Sequence, residues 1–529
     1  MAGFSASAQM TSNQVATVIA QALTRANDFI ASGDTTNGAV AVVDREGFVL
    51  GIWSLAPGPS ALDVIDAITK AGTAAFLSSD EEALTSRTAG FIVQQHFPPG
   101  IKNRAPGPLV GVNFSNLSFS DVNHFKDPHT YDPLAPGGGG TNGAPITPLG
   151  LSALSGLAGS PGGVPLYDAS GNLLGGIGVA ITGKPPIPEL FDIQTTTKQH
   201  YDIDEDVALA GQKGFAPDKK FFGSQVTING IRLSYVNSRT KMEAALPLGA
   251  VGVPVSPYAI TNSPPVNYPP LTLSNVVGEL RAPIIDDPLG GTIGGEARLS
   301  ASEVTNILTL AAARAAKTRA GIRLPRGQSA QVFITVVNNP NSPGVTPMVL
   351  GTFRTGDATI FSWDVAVQKA RTALYFSSPL GSGMLPAELQ NKALSTRTIG
   401  FLAQSNYPPG IQHKSPGPLL GLQESFSLLP IGVTNILDGV FFTGANPPLS
   451  APDPNLPNGI TIFPGGFPLY RNGVLIGAIG VSGDGVDQDD LIAASGTVNF
   501  LAPKAIRADQ IIYRGTRLPY AKFPRNPRL

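Results

Sequence analysis

"GGFPLYRNGVLIGAIGVSG", residues 465–483, decides how this chain is read. Its glycines raise the question of a phosphate cradle. A dinucleotide loop needs a strand, then G-x-G-x-x-G, then a helix whose first N–H groups meet the phosphates. Here alternating apolar runs flank the glycines on both sides. Asn472-Gly473, between "FPLYR" and "VLIGAIGV", is the pair favoured in a two-residue type I′ turn, where both positions need positive φ. No lysine follows the glycines, so a Walker A loop is missing too. The stretch reads as a β-hairpin, and no nucleotide is expected. Gly477 and Gly480 still need a reason, because a glycine inside a strand weakens it unless a helix, another backbone or a flat ligand comes close.

A near-twin, "GGVPLYDASGNLLGGIGVAITG" at 162–183, carries Gly175, Gly176 and Gly178 behind a longer turn. Other segments return in the same order, about 285 to 310 positions apart. "ALTSRTAGFIVQQHFPPGIKNRAPGPLVGV" (83–112) matches "ALSTRTIGFLAQSNYPPGIQHKSPGPLLGL" (393–422), "KAGTAAFLSS" (70–79) matches "KARTALYFSS" (369–378), and "VTINGIRLSY" (226–235) matches "IIYRGTRLPY" (511–520). Two homologous domains follow. The first spans 1–240 with an insertion at about 113–160, and the second spans 300–529 with an insertion at about 423–463. A Pro-rich linker, 241–299, joins them.

Each unit opens on a capping box, Thr11 with Gln14 and Ser300 with Glu303, ahead of an apolar stripe at helical spacing. Short β-rich runs follow ("AVAVVD" with "FVLGIW", "VFITVV" with "MVLGTF"), then a second helix over about 61–77 and 362–376. The hairpin comes next, then a short acidic helix where Asp206 and Asp490 are expected to meet the positive helix end, and a closing strand pair. Hairpin-connected strands with helices packed on them make an α+β fold, each domain an antiparallel sheet.

Composition narrows the function. The 529 residues carry a net charge of −1, so no footprint for nucleic acid or an anionic membrane exists. With no cysteine, disulfides, thiolate nucleophiles and zinc ribbons are excluded. "MAGFSASAQM" has neither the cationic start nor the apolar core of a leader, and the uncharged run Pro133–Tyr167 is too broken by Gly and Pro to span a bilayer. The protein is expected to be soluble, with a periplasmic or extracellular setting favoured and any leader absent from this chain.

The residues "VAVVDREG", "KAGTAAF", "GGVPLY" and "GGIGV", with "KARTALYF", "GGFPLY" and "GAIGVSG" ahead of an acidic helix, resemble the GlcG/HbpS-like haem-binding (haem-degrading) domain family. The resemblance covers most of both units and implies a helix-packed antiparallel sheet, assembly into homo-oligomers and, in some members, haem. Haem needs a flat apolar slot and usually an axial ligand. Five histidines are present: His96, His124, His129, His200 and His413. His96 and His413 are the weak metal candidates, and neither recurs in the other unit. His124 and His129 lie near Asp121 and Asp127, where a polar loop outweighs a metal site. Arg87 and Arg397 recur in "SRTAGF" and "TRTIGF", and such a guanidinium clamps a ligand carboxylate or pins backbone carbonyls. Lys70 and Lys369 in the second helix reach a ligand anion or snorkel at the surface. Arg104 and Lys414 keep a cation at equivalent places. The candidate ligand site is therefore Arg87, Arg397, Lys70, Lys369, Arg104, Lys414 and the strand glycines Gly176, Gly178, Gly477 and Gly480. No nucleophile–base set is visible, so the expected function is non-catalytic small-molecule binding. The alternatives are an assembly module and, more weakly, an enzyme acting on a small organic acid.

Overall fold

The computed structural model describes residues 8–93, 97–98, 101, 107–109, 120–129, 157–182, 201–241, 244–324, 326–411, 413–420 and 454–522. The architecture is α+β, with mixed helices and antiparallel sheets. In the first unit helix α1 (Ser12–Ser32) leads into strands β1 (Ala39–Asp44) and β2 (Val49–Ser54), helix α2 (Ala61–Leu77) and the short helix α3 (Ser86–Ile92). The hairpin β3 (Gly163–Tyr167) and β4 (Leu173–Ala180), helix α4 (Ile203–Gly211) and the small pair β5 (Thr227–Ile228) and β6 (Ile231–Arg232) complete it.

Between the units lie β7 (Val253–Pro254), the hairpin β8 (Pro270–Leu273) and β9 (Val276–Ala282), and the small pair β10 (Thr292–Ile293) and β11 (Glu296–Ala297). The second unit repeats the plan with α5 (Ala301–Ala315), β12 (Val332–Asn338), β13 (Val349–Thr355), α6 (Phe361–Ser377) and α7 (Thr396–Leu402). It ends with β14 (Gly466–Arg471), β15 (Val474–Gly483), α8 (Val486–Gly496), β16 (Ile512–Tyr513) and β17 (Thr516–Arg517). The sheets run β3-β4-β1-β2-β7 and β14-β15-β12-β13-β9-β8, so the core order is the same in both.

Both capping boxes form. Thr11 Oγ1 accepts from Gln14 N and Gln14 Oε1 accepts from Thr11 N, and Ser300 and Glu303 do the same. Such reciprocal bonds satisfy orphan donors of a first helical turn. Strand β1 is buried on both faces. Val40 and Val42 join the core under α1, while Ala39, Ala41 and Val43 join the core under α2. Each sheet is thus the middle of a helix–sheet–helix sandwich. The 465–483 stretch is the expected hairpin: Arg471 pairs with Val474 across Asn472 (φ 47°) and Gly473 (φ 86°).

The segment read as a linker does more than connect. Strand β7 adds to the β2 edge of the first sheet, and the β8–β9 hairpin adds to the β13 edge of the second. Its turn, Ser274-Asn275, takes positive φ at both positions without a glycine, so the usual hairpin signal is absent from the sequence. Ion pairs with buried arginines also link the two halves of the chain. Arg281 of β9 donates to both oxygens of Glu46 in the β1–β2 turn (2.7 and 3.0 Å), and Arg371 of α6 does so to Asp121 (2.8 and 2.6 Å). Asp357 accepts from Asp80 N at 2.7 Å, and Arg323 meets Glu81 at 3.3 Å.

Candidate functional site

The strand glycines are spacing residues. A Cβ on Gly178 would lie 2.0 Å from the Ala67 carbonyl of α2, and one on Gly480 would lie 1.9 Å from the Ala366 carbonyl of α6. Gly176 is likewise closed by Ala71 O at 2.3 Å, and Gly477 by Val337 O at 2.5 Å on its neighbouring strand. Helix or strand backbone therefore fills the space that a flat ligand would need. Of the three approaches a strand glycine permits, the chain uses the first two at these positions. The glycine of "RTxGF" works similarly: Gly90 admits Gly159 O and Gly400 admits Ile462 O, each 2.0 Å from an ideal Cβ.

The recurring cations are paired within the chain. Arg87 donates from Nε (2.6 Å) and Nη2 (3.1 Å) to the two oxygens of Glu205, which also accepts from the backbone N–H of Asn237 and Ser238. Arg397 repeats the arrangement with Asp490 (2.8 Å) and Asp487 (2.7 Å), and Asp490 accepts from Lys522 N. The carboxylate clamp expected of these arginines is thus filled by the acidic helix, tying α3 to α4 and α7 to α8. Asp206 and Asp490 are not helix caps. Asp202 caps α4 by accepting from Glu205 N, while Asp206 is bound by Arg25 (2.7 Å).

Lys70 and Lys369 are buried, not snorkelling. Lys70 Nζ meets Asp66 at 2.7 Å, Asp204 at 2.9 Å and Val179 O at 3.0 Å. Lys369 Nζ donates to Asp489 and Val481 O, both at 2.8 Å. Burial opposes charge on both, yet the outcomes differ. Two carboxylates, Asp204 and Asp66, hold Lys70 above the ordinary lysine range, whereas burial wins at Lys369, which falls below it. Val365 stands in the second unit where Asp66 stands in the first, so Lys369 has one fewer acid.

Lys414 is exposed, and Arg104 lies outside the described residues. His413 is exposed at φ 58°, His129 is exposed beside Asp127 (2.9 Å), and His124 is buried with Nδ1 3.1 Å from Ser120 O. His96 and His200 lie outside the described residues. Asp121 serves Arg371. Among the described residues no group of three or more His, Asp or Glu is placed to hold a metal ion.

The structure brings one of these residues to a cavity. A space of about 390 Å³ opens between the units, large enough for a small organic ligand. Leu77, Leu84, Ile92 and Leu109 of the first unit face Phe361, Val365 and Phe463 of the second across it. Its polar wall includes Glu82, Asn229, Ser362 and Lys369, with Asp487, Gln488 and Asp489 from the start of α8. Glu82 is 1% exposed, and neither carboxyl oxygen has a hydrogen-bond partner. Burial, then the neighbouring Asp484, pushes its carboxyl well above the usual range, with Arg323 offsetting only part. Of the residues expected at a ligand, Lys369 alone lines this space. Glu82 was not legible, because one acid in "SSDEEALT" looks like its neighbours until the second unit covers it.

The segment that carries this wall is also the one that other proteins share. The family model described as haem degrading protein HbpS-like matches residues 305–497. That match lies within the second unit. The match spans α6, the 465–483 hairpin and α8, the second-unit part of the resemblance, and does not extend to the first unit. Among solved structures, the chain is similar to a PduOC:haem complex (21% identity, 39% of this chain and 100% of that chain, TM-score 0.22). It is also similar to Klebsiella pneumoniae protein ORFY (19%, 39% and 92%, TM-score 0.22) and to a double mutant of Streptomyces reticuli HbpS (18%, 40% and 96%, TM-score 0.22). No curated protein matches. No helix among the described residues is long and apolar enough to cross a membrane.

Proposed function

We propose that the chain is a small-molecule-binding protein built from two HbpS-like units, with its ligand in the cavity between them. The observation that carries this reading is the cavity itself: a chamber with one apolar wall and one polar, charged wall, assembled from both units. A binding role is favoured over catalysis because Arg87 and Arg397, on which an organic-acid enzyme would depend, are committed to Glu205 and to Asp490 with Asp487.

Haem is the ligand that the family description makes the first to test. The described cavity wall does not fit it. None of the wall residues is His, Met, Tyr or Cys, Lys369 is engaged by Asp489, and Glu82, Asp487 and Asp489 would face the propionates. Among the described residues, the cavity wall suits a smaller molecule. The test is a ligand screen by thermal shift on the whole chain beside Val365→Phe, which narrows the cavity. Ligands that stabilise the parent and not the variant support the reading. A saturable Soret shift with haemin that Val365→Phe abolishes would overturn it.

Self-association is the second reading. Val498, Leu501 and Ile512 of the second unit are 57, 59 and 71% exposed, and apolar side chains so placed suit a subunit contact. Sedimentation showing a strict monomer would remove it.

A further inference from the structure

We infer that the cavity selects an uncharged molecule, an apolar body bearing a carboxamide edge, which Gln488 of α8 and Asn229 of the β5–β6 turn recognise from opposite units. This rests on the binding reading above and adds the chemistry of the ligand. The charges on the wall are already engaged inside the chain. Lys369 Nζ donates to Asp489 and to Val481 O, both at 2.8 Å, and the side chains of lysine and acid are 1 and 2% exposed. Asp487 accepts from Arg397 at 2.7 Å and from Lys522. The carboxyl oxygens of Glu82 have no open surface. A charged ligand would therefore enter without a counter-ion, and burying an unpaired charge is costly. An anion would also stand beside Asp487, and a cation would have to displace Arg397 or Lys522 from it.

The uncharged groups divide differently. Ser362 and Thr359 bond each other at 3.0 Å. Gln488 and Asn229 line the cavity, and among the described residues neither carboxamide has a partner. Gln488 is half-buried, with neither end of its carboxamide sealed. Its place is set by missing side chains: a Cβ would lie 2.3 Å from Oε1 if built on Gly485, and 3.4 Å from Nε2 if built on Gly321. Asn229, exposed and at φ 51°, presents the same group from the first unit.

A carboxamide holds two donors and an acceptor. The uncharged group that answers both kinds at once is another amide, pairing N–H to O and O to H–N. A ketone has no donor, and a hydroxyl crowds donor and acceptor onto one atom. Leu84, Ile92, Val365 and Phe463 give the rest of the ligand nothing to bond, so that part is apolar.

The experiment is ligand-observed NMR titration of the full chain with four probes of matched shape: benzamide, acetophenone, benzoate and benzamidine, a cation at neutral pH. Gln488→Met, Asn229→Gly and Val365→Phe stand beside the parent. Methionine keeps the length of Gln488 without its hydrogen bonds, and glycine accepts the positive φ of Asn229. Expected is tightest binding of benzamide, roughly fivefold over acetophenone, the effect of one neutral hydrogen bond. Gln488→Met should erase that margin, Asn229→Gly should narrow it, and Val365→Phe should weaken every probe. Tighter binding of benzoate or benzamidine overturns this inference and leaves the binding reading intact. Equal binding of benzamide and acetophenone, or a margin that survives Gln488→Met, overturns the role of the carboxamides, and a margin unmoved by Asn229→Gly removes Asn229 from the site. Binding that Val365→Phe leaves unchanged, or binding of none of the four to the folded parent, removes the binding reading as well.

Discussion

Gly480 and Gly178 give up a side chain so that a helix can lie directly on a sheet, and no neighbouring atom can yield the space. Adding one methyl at either should therefore cost more than ordinary overpacking, whose scale is about 1–3 kcal/mol. Gly480→Ala is expected to lower the unfolding free energy by at least the upper end of that range in urea melts. Gly249→Ala, where a Cβ meets nothing within 4 Å, should be silent. Lys369 tests the same locality through charge. Removing one partner of a buried pair costs about 3–5 kcal/mol, while replacing both with apolar groups is often nearly neutral. Lys369→Met should thus destabilise strongly, and Lys369→Met with Asp489→Leu should recover most of the loss in a double-mutant cycle. Roles set by local spacing were legible at this scale: Asn472-Gly473 as a turn, Thr11 with Gln14 as a cap. The burial of Lys369 was not, because its partner Asp489 lies 120 residues along the chain.

At the scale of elements, two acids sit at the ends of secondary structure in dry surroundings. Asp44 closes the β1–β2 turn by accepting from Glu46 N (2.9 Å) and Phe48 N (3.0 Å), and Asp364 lies in the first turn of α6. Burial pushes both to about 7. Their folded values lie above the unfolded ones, near 4, so the folded state holds extra protons between about pH 4 and 7. The stability they supply is fully present below that window and is lost as pH rises through it. Glu46 acts oppositely: burial raises its carboxyl, but Arg281 more than reverses this and holds it at about 2. Its contribution is lost only as pH falls below its unfolded range. Thermal midpoints are expected to peak in mildly acidic buffer and decline toward neutrality, and Asp44→Asn should flatten that decline. Equal slopes for parent and variant would contradict the assignment. The helices and the 465–483 hairpin followed from periodicity and turn residues, whereas β7 and β8–β9 did not. Their strands are short, and what makes them strands is the open edge of a sheet formed by other parts of the chain.

Across the whole molecule, the two halves of the chain are joined by ion pairs whose arginines are buried. Arg281 with Glu46, Arg371 with Asp121, and the Arg323–Glu81–Asp357 group all join them. One cooperative calorimetric transition is therefore expected, with the calorimetric enthalpy equal to the van't Hoff value. Two resolved transitions would mean that the units unfold separately. Arg371→Leu should lower that single midpoint, since it removes the bonds to Asp121, Asn458 and Pro347 O. The repeats announced a pair of units, but the cavity was invisible in sequence because its walls come from segments near 77–92, 227–233, 361–369 and 482–489. The shared charges also bear on how the chain is made. Synthesis proceeds from the N-terminus, and domains commonly fold as they emerge. Here Glu46 awaits residue 281, so the leading unit leaves the ribosome with an acid it cannot yet enclose. It must keep that acid in water until β9 arrives, which makes completion of the first unit wait on chain beyond its own end.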